Sequence, residues 1–164
     1  MDTAAAGNPV VFPRVLAAVG PKMLELSRDH ADGAHPFSQP VSHTPYAREI
    51  LGPDKLLIPQ QTVLLGGRED AREFVRRHVA MLLEHDVKAY HAGWKRLGYT
   101  DADITGPADR FVDDLVIWGD AQTIAKRLDE VLDAGADHVL LTPSAPTFES
   151  TVDLLAELAP AVLR

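Results

Sequence analysis

An α/β fold built on a parallel sheet is the class this sequence predicts, and three observations predict it. Apolar runs rich in Val and Leu alternate with helical patterns along the chain, in four strand-helix repeats. The runs VLAAV, TVLL and HVLL are apolar without alternation, as strands covered by helices on both faces require. The helical stretches carry apolar residues at three- and four-residue spacing, most clearly in 68–85 and 119–135.

Taken in order, residues 10–19 (VVFPRVLAAV) form the first strand, made irregular by Pro13. Gly20-Pro21 turns the chain into a short helix ending near His30, with proline at the helix start, where its missing N–H costs nothing. Asp32-Gly33 leads into a second short strand, closed by Pro36, and Asp32 is suited to bond nearby backbone. A brief helix opens at Thr44-Pro45 and stops at Gly52-Pro53. Residues 56–67 give the third strand, centred on 62–65. The helix over 68–85 places Phe74, Val75, His78, Met81, Leu82 and His85 on one face. Residues 86–118 are helical in pieces, broken at Gly98 and at TGPAD. The helix over 119–135 has Asp120 at its N-cap, Ile124, Leu128, Val131 and Leu132 as its stripe, and Gly135 as its stop. ADHVLLTP is the fourth strand and STVDLLAELAPAVL the closing helix.

Composition narrows the function classes. The 164 residues fit one domain. A formal charge of −8, from 16 Lys plus Arg against 24 Asp plus Glu, speaks against nucleic acid and anionic lipid as partners. There is no cysteine, which fits a reducing, cytoplasmic setting. No apolar run has membrane-spanning length, and the N-terminus lacks the basic and apolar regions of a signal peptide. The seven histidines show no metal-ligand spacing, so no metal site is expected.

Four repeats amount to half of a (β/α)₈ barrel, which needs about 250 residues. They suit an open doubly wound sheet equally well, and composition and periodicity leave both open.

Four phrases in order, LAAVGPKMLELSRDHADGAHPF, REILGPDKLLIPQQTVLL, RLGYTDADI and WGDAQTIAKRLDEVLDAGADHVLLTP, resemble the C-terminal half of the luciferase-like monooxygenase family. The branch they resemble uses the deazaflavin coenzyme F420. The resemblance spans about residues 9–143. It implies a TIM-barrel fold in which 9–164 form strands five to eight, after a flexible segment 1–8. It implies an oxidoreductase moving a hydride between F420, or FMN in its place, and a small organic substrate. It places the cofactor at the C-terminal strand ends, against Ala17, Ala18, Val19 and Gly20. Small residues there let backbone approach a ligand closely. Pro21, Lys22 and Met23 open a helix whose free N–H groups and positive dipole end suit an anion. The plainer account is that Gly20-Pro21 only ends a strand and starts a helix. The family's first four strands, which supply much of its pocket, have no counterpart in the resemblance. The expected partner is therefore a second copy or a chain supplying the other half. The alternative function is a non-catalytic half-barrel that dimerises or binds a flavin-like ligand without turnover. A start placed inside a longer reading frame is a third reading.

Further candidates have competing structural roles. His35, at the end of the second strand, is the one catalytic candidate, as a hydrogen-bond or proton donor, and is equally a polar strand-end residue. His43 reads as an exposed loop residue. His78 reads as a partly buried core histidine. Trp94, Lys95, Arg96 and Tyr99 make a lid or else a helix packing a ring onto the core, and Arg110 is placed near the same mouth. Thr142, with Pro143 and Ser144, forms a turn that in this fold would hold a phosphate tail, and otherwise is ordinary turn chemistry.

Overall fold

The structure, a computed structural model, describes residues 12–84 and 88–163. The expected flexible segment 1–8, the first two residues of the first strand and His85 lie outside the described residues.

The element order is β1 (Val15–Ala17), α1 (Pro21–His30), β2 (Gly33–His35), α2 (His43–Leu51), β3 (Leu56–Leu57), β4 (Gln60–Leu65), α3 (Arg68–Glu84), α4 (Lys88–Arg96), α5 (Asp101–Thr105), α6 (Asp109–Leu115), β5 (Val116–Gly119), α7 (Ala121–Asp133), β6 (Leu140–Pro143) and α8 (Phe148–Val162). All pairings are parallel, as the alternation of strand and helix requires. The strands form two three-stranded sheets, β1-β2-β3 and β5-β4-β6, rather than four strands in one half-barrel wall. Two local causes account for the difference. The predicted third strand is split at Ile58-Pro59, where proline cannot donate to a ladder. Hydrogen bonds nevertheless carry the pairing across the break: Ile58 N donates to Ala34 O at 2.9 Å and Gln60 N to Pro36 O at 2.9 Å. The second cause is β5, a strand where the sequence pattern predicts helical and capping segments. Its four residues pair with β4 from Thr62↔Val116 to Leu65↔Gly119.

Gly33 explains how closely the first sheet packs. A Cβ there would lie 2.4 Å from Leu56 O and 2.6 Å from Leu56 Cβ, so only glycine lets β2 meet β3. Asp32 closes the approach as its type predicts, its carboxylate accepting from Arg14 N at 2.7 Å while its own N–H donates to Arg14 O at 2.8 Å. At these same N-terminal ends of the strands, Arg48 gathers the chain. Its guanidinium donates to Gly135 O at 2.8 Å, to Gly52 O and Lys55 O at 2.7 Å each, and to Asp137 Oδ2 at 2.6 Å. Asp137 Oδ2 also accepts from Leu57 N at 2.7 Å.

Three apolar clusters hold these layers. One joins β1, β2 and β3 to α1 and α2 through Leu24, Ala34, Ala47, Leu51 and Leu57. A second packs β4 and β5 against α7 and α8 through Val63, Ile117, Ile124, Leu128, Leu154 and Leu158. The third is the block α3–α6, centred on Trp94, Tyr99 and Phe111, with ring centroids 4.9–5.2 Å apart and edge-on. On α3 the buried line is Ala71, Val75, Val79 and Leu82. Phe74 and His78 are half-buried beside it, and Met81 is exposed, so the apolar face is rotated from the predicted stripe.

Burial on both faces holds for β4, whose first five residues are all buried. It fails at β6, where Leu140 is 48% exposed, and at β1, where Ala17 is exposed. Each is an edge strand, paired on one side only.

Candidate functional site

Because the strands are parallel, their C-terminal ends share one rim, the rim where barrels of this class hold ligands. Along it come Val19-Gly20 after β1, Pro36 to Ser38 after β2, Gly66 after β4 and Ser144 after β6.

The β1 turn is built from small residues. Ala18 is buried, and its N–H donates to His35 O at 3.3 Å. Gly20 has ordinary extended backbone (φ −111°, ψ 163°) and is the N-cap of α1. A Cβ added at Gly20 would meet nothing within 4 Å, so the space over this turn is open. At the start of α1, Pro21 has no N–H, and Met23 N and Leu24 N both donate to Gly20 O at 3.1 and 3.0 Å. That leaves the Lys22 N–H as the first-turn donor available to a ligand, fewer than the helix start alone predicts. The Lys22 and Met23 side chains are exposed. The open space over Gly20 and this free donor fit the close approach of a planar cofactor with an acceptor group.

His43 is a correction. It is not an exposed loop residue but the first residue of α2, 2% exposed, with its Nε2 3.0 Å from Val19 O. Its ring lies tilted on Tyr46, centroids 5.5 Å apart. Burial lowers its pKa, partly offset by the bond to Val19. The neutral ring therefore carries its proton on Nε2 and donates to Val19 O, leaving Nδ1 as a buried acceptor without a partner. The sequence signal that would have found it is its place at the start of the short amphipathic helix over 43–51.

His35 faces Ala17 in register, and its Nδ1 donates to Ile58 O at 2.6 Å. That bond ties β2 to the bend between β3 and β4, the structural role weighed against a catalytic one. Next to it, Ser38 is buried in a left-handed conformation (φ 53°), uncommon for a residue with a side chain. Its N–H donates to Gln60 Oε1 at 2.9 Å, and its hydroxyl bonds His78 Nε2. His78 is stacked on Phe74 and its pKa is lowered by burial. Gln39 and Gln61 complete this polar layer, Gln61 Nε2 donating to Gln39 O at 3.4 Å.

Thr142 is exposed on β6, opposite Thr62 in register. With β2 and the 56–65 strand between β1 and β6, the structure does not bring Thr142 beside Val19-Gly20. Ser144, after β6, lines an open hollow of about 430 Å³ with Leu65, Asp70, Glu73 and Arg77. Of the two roles weighed for this segment, its aromatic residues take the packing one rather than the lid: Trp94 and Tyr99 are core, and the Tyr99 hydroxyl donates to Asp114 Oδ2 at 2.5 Å. Burial and that carboxylate push the Tyr99 phenol well above its ordinary range. Arg110 lies over the Tyr99 ring and is paired with Asp103. Among the described residues no cluster of His, Asp or Glu could hold a metal ion, and no helix is long and apolar enough to cross a membrane.

No protein-family model and no curated protein matches the chain. Solved structures do. An F420-dependent secondary alcohol dehydrogenase, solved with an F420-acetone adduct, aligns with 94% of this chain and 50% of its own, at 16% identity and a TM-score of 0.59. The coenzyme F420 dependent tetrahydromethanopterin reductase from Methanopyrus kandleri aligns with 91% of this chain and 50% of its own, at 18% identity and 0.60. An EDTA monooxygenase from Chelativorans sp. BNC1 aligns with 96% of this chain and 44% of its own, at 16% identity and 0.59. The chain spans about half the length of the solved chains it matches. It is thus folded as about one half of these F420-dependent and monooxygenase enzymes, in agreement with the resemblance to the luciferase-like family.

Proposed function

We propose that the chain is the C-terminal half, strands five to eight, of a luciferase-like, F420-dependent oxidoreductase acting in the cytoplasm. In this reading β1, β2, the bent β3–β4 strand and β6 are the four barrel strands, and β5 is an addition beside β4. Ala17, Ala18, Val19 and Gly20 would hold coenzyme F420 against the β1 turn, and the Lys22 N–H and side chain would serve an anionic group. Thr142 and Ser144, on the far strand, line the same rim and meet the cofactor's tail only in a completed barrel. When bound, the deazaflavin supplies the hydride acceptor or donor for an organic substrate. The protein's part is to hold the ring in reach of that substrate and to keep water out. His35 keeps its Nε2 for a polar contact, since Nδ1 is committed to Ile58 O.

The observation that carries this reading is the open space over Gly20 at the C-terminal rim of a parallel sheet. Isothermal titration with F420, and with FMN as the alternative cofactor, tests it. A saturable heat with F420 exceeding that with FMN is expected, and no heat with either overturns the cofactor assignment.

A second reading, a non-catalytic half-barrel that pairs with another chain, is favoured by a separate observation. The closing helix α8 buries Leu154 and Leu158 on one side and exposes Phe148, Val152 and Leu155 on another. Such a stripe beside the open edge of β6 invites association with a second copy or with a chain completing the barrel. Sedimentation velocity separates the outcomes. Concentration-dependent dimerisation removed by Phe148→Glu, with thermal stability unchanged, supports self-association. A monomer at all concentrations, unfolding cooperatively, counts against this reading.

A further inference from the structure

We propose that His43 is the positioning residue of the β1 turn, its Nε2–H holding the Val19 carbonyl so that the turn keeps its open side toward the cofactor; this rests on the cofactor reading given above. Three observations converge on it. The bond from His43 to Val19 O, at 3.0 Å, crosses from α2 to the loop between β1 and α1. The next residue, Gly20, has open space where a side chain would stand, so no side chain of its own steadies the turn. The ring is fixed from behind, tilted on Tyr46 and buried, and its Nδ1 faces no acceptor that would favour the other tautomer.

The chemistry follows from the acceptor. A backbone carbonyl accepts only, so the ring must present N–H at Nε2. The charged group facing it is Arg96 of α4, which together with burial disfavours the imidazolium. On the same side, Ser42 N donates to Asp114 Oδ1 at 3.2 Å, anchoring the start of α2 through α6. His43 therefore transmits the position of the α2–α6 layer to the Val19 carbonyl, one residue before the glycine over which the cofactor would lie.

Imidazole ¹⁵N shifts, amide exchange and cofactor titration test this together. The Nε2–H tautomer is expected for His43 between pH 6.5 and 8. An Nδ1–H tautomer, or a charged ring in that range, overturns the proposal, and this arm needs no variant. His43→Phe keeps a buried ring without a donor, and His43→Gln restores an N–H. Exchange at Met23 and Leu24, whose amides bond Gly20 O, is expected to rise about tenfold in His43→Phe, about 1.4 kcal/mol, and to stay within about threefold in His43→Gln. Equal exchange in both variants overturns the proposal. F420 affinity is expected to fall at least tenfold in His43→Phe and to be rescued in His43→Gln. If the unaltered chain does not bind F420 while the tautomer and exchange results hold, the cofactor reading fails and the tether to Val19 stands.

Discussion

Gly20 and Gly33 serve opposite purposes, and substitution by alanine separates them. At Gly33 the new methyl would enter the backbone of Leu56, so Gly33→Ala forces β2 and β3 apart. A loss of about 1–3 kcal/mol by urea unfolding is expected, the typical range for overpacking a tight contact. At Gly20 the methyl meets open space and the backbone is already extended. Gly20→Ala should leave stability within about 0.5 kcal/mol while weakening F420 binding at least tenfold. Arg48 is the corresponding polar case. Its fork satisfies three carbonyls and a carboxylate at once, which lysine cannot reproduce. Arg48→Lys should cost about 2–3 kcal/mol by the same measurement, since it leaves part-buried carbonyls without donors. Of these residues, the two glycines were visible in the sequence as turn and approach points. The role of Arg48 was not, because its partners lie up to 89 residues away.

Among elements, the helices were the most legible. Asp120 caps α7 as its type and place predict, accepting from Thr123 N at 2.8 Å. Gly98 and Gly135 both lie at positive φ where the helical pattern stops. The strands were less legible for a physical reason. A short apolar stretch such as VIWG carries no period long enough to tell a strand from the end of a helix. The face of α3 was misjudged by one residue in the turn, because Met81 and Val79 are equally apolar and tertiary packing alone chose Val79. His43 and His78 belong at this scale too, since each joins a helix to a loop on the rim. Burial lowers both pKa values, so the folded chain resists protonation that the unfolded chain accepts near pH 6.5. Stability is thus fully present above about pH 6.5 and is lost as pH falls through the depressed folded values, by at most about 1.4 kcal/mol per pH unit and group. Urea midpoints measured from pH 7.5 to 5 should fall, and His78→Gln should flatten the curve. Asp103 and Asp120, held below the usual carboxylate range by their hydrogen bonds, stay ionised there and contribute no slope.

At the scale of the molecule, the two parallel sheets, their edge strands and the half-length relation to solved enzymes describe the same object from three sides. The α/β class and parallel pairing were written in the alternation of runs. The choice of a barrel half over an open sheet was not, because both share that alternation, and it came from the resemblance and then from the comparisons. The β1 turn is the point on which the proposed function rests. The most direct measurement is a ¹H–¹⁵N titration of the chain with coenzyme F420. Saturable shifts centred on Val19, Gly20 and Lys22, absent in Gly20→Ala, are the expected result. Saturable shifts confined to other surfaces, or no saturable shift at all, would contradict it.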